Sequence, residues 1–144
     1  VFMLSLLQFL SVIIPGGIIF KIYLKTSPMC LFIAFAITVF TVSSWAVFIA
    51  VVSPTPITAD LAGSLGTLLM AVIGGSIYPL TALPDSIKSL SYLTINRWAV
   101  QGFLEIFSGK LNTAFFIDMA VLTGMGLVYM ALSLPFLILM KKHS

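Results

Sequence analysis

The chain has 144 residues, of which 60% are hydrophobic and 8% charged, whereas soluble domains carry about 25% charged residues. So few charges cannot cover a water-soluble globule of this size, which excludes that class. The net charge of +3 does not mark a nucleic-acid partner either. Lys21, Lys25, Lys88, Arg97, Lys110, Lys141 and Lys142 stand singly or as one pair between apolar runs, where charges flank membrane spans. Cys30 is the only cysteine, so neither a disulfide within the chain nor a multi-cysteine metal site can form.

The expected fold is all-α, a polytopic membrane helix bundle forming a single transmembrane domain over residues 1–144. Residues 1–20 are uncharged and, at about 1.5 Å per residue, long enough to cross about 30 Å of hydrocarbon. They open on Val1 without the basic leader or cleavage site of a secretory signal, so the chain reads as a fragment of a longer protein. Pro15, Gly16 and Gly17 predict a kink or break, either a tolerated packing feature or a hinge. A polar connection leads to a second uncharged run at 29–52, where Ser43 and Ser44 can hydrogen-bond within the helix. Cys30 reads there as a small apolar filler.

Residues 53–60 form a turn and a helix start, with Thr55 as cap, Pro56 at the first helical position and Asp60 in the first turn. A third span follows over about 57–77. Along it Ala59, Gly63, Thr67, Ala71 and Gly75 recur every fourth residue and share one helical face. Such a strip lets two backbones approach closely in lipid. Helix packing is the first reading of it, and lining of a substrate path the second.

After Gly74 the chain changes character, because Pro79 and Pro84 break helices and charges return. Asp85 can cap a short helix near 85–93 carrying Ile87, Leu90 and Leu93. Asn96 can cap another near 97–108, with Val100, Phe103, Leu104 and Phe107 on its apolar side. Its other side carries Arg97, Gln101 and Glu105, read either as a solvated face or as the mouth of a pathway. Both helices are too polar to span and suit the interface or a shallow re-entrant position, with Tyr92 and Trp98 as anchors. A fourth span occupies about 115–140, with Asp118 and the Lys141-Lys142 pair complementing its dipole. His143 has no partner motif.

No catalytic, cofactor-binding or metal residues are expected. Asp60, Asp85, Glu105 and Asp118 sit at predicted helix ends or in connections and do not converge with a nucleophile or metal ligands. None falls at the middle of a span, where its cost would mark an ion path. Neither a phosphate-binding glycine-lysine loop nor an HExxH pair is present.

The stretch GGSIYPLTALPDSIKSLSYLTINRWAVQGF, from Gly74 to Phe103, resembles the end of the fifth helix and the following external helices of type-2 ABC exporter permeases. The resemblance rests on Gly74-Gly75, Tyr78, Pro79-Leu80, Leu83-Pro84, Ser91-Tyr92-Leu93 and Trp98. It departs at Ile95, where the family usually places a proline after the Leu-Thr pair. The spans then correspond to the third to sixth helices of a six-helix permease. The resemblance implies a permease subunit of the cell membrane that pairs with a second copy or a related permease. A separate cytoplasmic ABC ATPase would use the ATP, with no cofactor bound by this chain. It also implies a cytoplasmic C-terminus, which places Lys21, Lys25, Lys88, Arg97 and Lys110 outside and only Lys141 and Lys142 inside. That opposes the positive-inside bias; upstream helices are expected to set the orientation. The alternative is a small self-standing oligomeric membrane protein that acts by assembly or bilayer perturbation.

Overall fold

The computed structural model describes residues 28–109 and 111–142, together with positions 3, 7, 8 and 11. Apart from those four positions, the expected first span and its Pro15-Gly16-Gly17 break lie outside the described residues, as do Lys110 and His143. The described residues form five α-helices and one 3-10 turn. These are α1 (Pro28–Val52), α2 (Pro56–Ile73), the 3-10 turn Leu80–Ala82, α3 (Asp85–Ser91), α4 (Ile95–Ser108) and α5 (Thr113–Lys142). The fold is the all-helical bundle expected. Met29–Val52, Pro56–Ile73 and Thr113–Ile138 are long and apolar enough to cross a membrane.

The bundle is built on α1 against α5, its most extensive helix pair. In lipid, burial of apolar surface does not drive such pairing, so fit and polar bonds must. Both are present at one level of the seam. A Cβ added to Gly126 would lie 2.7 Å from the Phe40 ring and 3.2 Å from the Thr41 Cα, so only glycine lets α1 come this close. Beside it the buried Thr41 hydroxyl lies 2.9 Å from the Ile37 carbonyl oxygen of its own helix and 2.9 Å from that of Leu122 in α5. Tyr129 continues the seam edge-on to Trp45, with ring centroids 5.2 Å apart. Thr41→Val keeps the shape and removes the bond, and should destabilise the chain by about 0.6 kcal/mol on unfolding in mixed detergent micelles. No change in the unfolding midpoint would remove the bond from the account of this seam.

The amphipathic α4 completes the core. Ile95, Ala99 and Ile106 join Leu31 and Ala34 of α1 and Phe115, Met119 and Leu122 of α5. The buried face of α4 is Ile95, Ala99, Gly102 and Ile106, a correction to the stripe through Val100, Phe103, Leu104 and Phe107. Leu104 is 61% exposed, while Phe103 and Phe107 only flank the core. Closeness of approach goes with this face, because Gly102 lies against the end of the Met119 side chain and near Asp118 of α5.

Helix ends differ from the sequence reading in instructive ways. α2 starts as expected, with Thr55 and Thr58 forming a reciprocal cap and Pro56 at the first position. Asp60, however, falls on the second turn. The helix stops at Ile73, not residue 77. Gly74 closes it by donating its N–H to the Met70 carbonyl at 2.8 Å, and Gly75 takes φ +86°, a left-handed conformation that costs glycine nothing. Pro84, not Asp85, caps α3, and Asp85 lies in its first turn paired with Lys88 at 3.1 Å. Thr94, not Asn96, caps α4, its hydroxyl accepting from the Arg97 N–H at 3.4 Å. Asn96 is diverted because its side chain donates to Ser76 Oγ at 2.8 Å, reaching back to the end of α2. Ile95 thereby occupies the first helical position, which suits proline well, so the departure at this residue leaves the turn intact.

Candidate functional site

Three sets of residues were singled out in the sequence, and the fold places them differently. The small-residue strip lies on α2, a helix with no buried residue. Ala59, Gly63, Thr67 and Ala71 line an open groove of about 630 Å³, whose facing wall is made by Trp45, Ala46 and Ile49 of α1. Among the described residues, nothing lies within 4 Å of a Cβ added to Gly63. The close approach of α2 to α1 is made instead at Gly66, where an added Cβ would lie 3.1 Å from the Trp45 ring. Gly66 stands off the strip's four-residue period, so the pattern passed over it. Gly75, the strip's last member, sits in the turn beyond the helix, with Leu80 2.8 Å from an added Cβ.

The motif residues build junctions. Gly74 wedges the end of α2 against the start of α4, since an added Cβ would lie 2.6 Å from Asn96 Cβ and 2.7 Å from Thr94 Oγ1. Pro79 and Leu83 flank the 3-10 turn that begins at Leu80, and Pro84 caps α3. Tyr92 and Leu93 are exposed. The Trp98 indole N–H donates to the Tyr92 carbonyl at 2.9 Å, which holds the α3–α4 corner.

The polar strip of α4 is half-buried at Arg97, Gln101 and Glu105, not a fully solvated face. The Arg97 guanidinium lies 3.7 Å above the Tyr92 ring and donates through Nη1 to Ser91 Oγ at 2.6 Å. Across from α4 lies Asp118, which is only 4% exposed. Its expected place at the helix start is corrected: it is the sixth residue of α5, and an added Cβ on Gly102 would be 4.0 Å from its own Cβ. Asp118 Oδ2, Glu105 Oε2 and Arg97 Nε are all buried without a hydrogen-bond partner. The helix dipole alone explains a charge near the start of α5, so the sequence does not reveal the burial of Asp118. The available signal was Gly102, a gap in an amphipathic helix one turn from Glu105 that a packed neighbour must fill. Among the described residues, no group of three or more potential metal ligands converges.

Residues 2–108 match the family model of the ABC-2 type transporter, well over half of the chain. The chain belongs to the ABC-2 type transporter family. No curated protein and no solved structure matches it. The matched segment contains α1 to α4 and therefore the groove, the junctions and the polar strip. With its apolar helices, this ABC-2 chain is a multi-pass membrane protein and a permease component of an ABC transporter. It is a transport subunit, and membership implies partnership with an ABC ATPase and often with a second permease.

Proposed function

We propose that this permease is one half of an ATP-driven exporter, with the α1–α2 groove bordering the substrate path and a second copy or related permease completing it. The observation that supports this is α2 itself. It is apolar and long enough to span, yet it buries no residue among the described residues and turns its small-residue strip into an open groove. Small side chains on a span allow another backbone close, and the groove gives a wall that a partner's surface would close. ATP is hydrolysed by a separate cytoplasmic ATPase. The C-terminus and the connection at 53–55 share the cytoplasmic side, where that connection offers a minor contact to the ATPase. Arg97, Gln101 and Glu105 then border the outer mouth.

The test reconstitutes the permease with its ATPase and replaces Gly63 and Ala71 by leucine, measuring association and export separately. Added bulk in a close contact costs about 1–3 kcal/mol, so association should weaken by at least about fivefold, with export falling alongside. Unchanged association would refute pairing through the strip. Loss of export with association intact would place the strip on the path alone.

A further inference from the structure

Asp118 and Glu105 each hold a buried carboxylate oxygen with no hydrogen-bond partner. Buried polar groups left in that condition are costly and call for an explanation. Among the described residues candidate cations are few. α1 carries no charged residue, α5 carries no basic residue before Lys141, and Lys88 is committed to Asp85. Among the described residues, Arg97 is the one basic residue of α4, the helix whose Gly102 faces Asp118. It makes no ion pair with either carboxylate in this conformation, where its side chain is held by a hydroxyl and an aromatic face. Both of those contacts are weaker than the forked, charge-assisted bonds that guanidinium makes with carboxylate. Its Nε–H is free for such a bond.

We propose that Arg97 is a latch with two seats: parked on Ser91 and Tyr92 of the α3 corner here, and closed onto the Glu105–Asp118 carboxylates in a second conformation. Parked, it ties α4 to α3. Closed, it ties α4 to α5. The two seats make α4 a bistable element of the kind through which packed helices switch, and its use in transport rests on the exporter reading above.

The test is a double-mutant cycle of Arg97→Gln with Asp118→Asn, read on the unfolding equilibrium of the full chain in mixed detergent micelles. It is run in the wild-type background and in one carrying Ser91→Ala and Tyr92→Leu, which removes the parking seat. The latch predicts that the coupling between positions 97 and 118 grows by about threefold or more when the parking seat is lost, within the range measured for contacting charges. Additive effects in both backgrounds would overturn it. Equal coupling in both would also overturn it, because that describes a fixed contact. If Asp118→Asn does not fold, Glu105→Gln takes its place in the same cycle. No ATPase enters this measurement, so failure of export with the coupling present would count against the exporter reading and leave the latch standing.

Discussion

Gly126→Leu should weaken the α1–α5 seam more than any other single change on that interface, by about 3 kcal/mol on unfolding in mixed micelles. The Phe40 ring, 2.7 Å from the added Cβ, can rotate away. The Thr41 Cα at 3.2 Å cannot, because it belongs to the backbone of α1. Separation of the helices would also break the Thr41 contact with the Leu122 carbonyl, so the two losses add. Gly124 provides the control, since nothing lies within 4 Å of its Cβ position and its leucine variant should be close to neutral. Equal effects at 124 and 126 would mean that the seam does not run where the structure has it.

Gly74→Ala adds one methyl group and should cost about 2 kcal/mol, a large effect for so small a change. The methyl would meet Asn96 Cβ and Thr94 Oγ1 at 2.6 and 2.7 Å. Neither neighbour can withdraw without a further loss, because Thr94 caps α4 and Asn96 is bonded to Ser76. The start of α4 must therefore lift from the end of α2, and the last turn of α2 must open as well, because the Met70 carbonyl oxygen lies 2.5 Å from the methyl. Cysteines at Ser76 and Asn96 would report this directly, with a high disulfide yield beside Gly74 and a sharply reduced one beside alanine. An undiminished yield would show that the junction tolerates the methyl. Gly63→Ala, in open space, should leave the yield unchanged and not lower stability.

Membrane residence was legible from composition, because the uncharged runs at 29–52 and beyond Asp118 leave little alternative to spanning helices. The start of α2 was legible too, since Thr55 and Pro56 act locally and need no tertiary partner. What could not be read depends on neighbours distant in sequence. Asn96 has the chemistry of a cap, but Ser76, twenty residues earlier, claims its side chain. The buried face of α4 follows closeness to α5, so Gly102 lies inside and Leu104 outside, against the order that hydrophobicity alone suggests. Asp118 was placed by dipole reasoning, while its burial follows from the space beside Gly102. The four-residue strip on α2 was visible as a pattern, but only the fold shows that its face opens on a groove and that Gly66 makes the contact with α1.

The bare surface of α2 has a consequence for how the protein is made and kept. A helix with no buried residue of its own gains little from the other described residues beyond its connection, its touch on Trp45 and its C-terminal end, pinned at Gly74. Copies synthesised in excess of their partners would present Ile57, Leu61, Leu65 and Leu68 together with an unfilled groove to the surrounding membrane. Such orphan subunits should be cleared by membrane proteases sooner than assembled ones. Cellular abundance would then follow the scarcest partner, and not the rate at which this chain is translated.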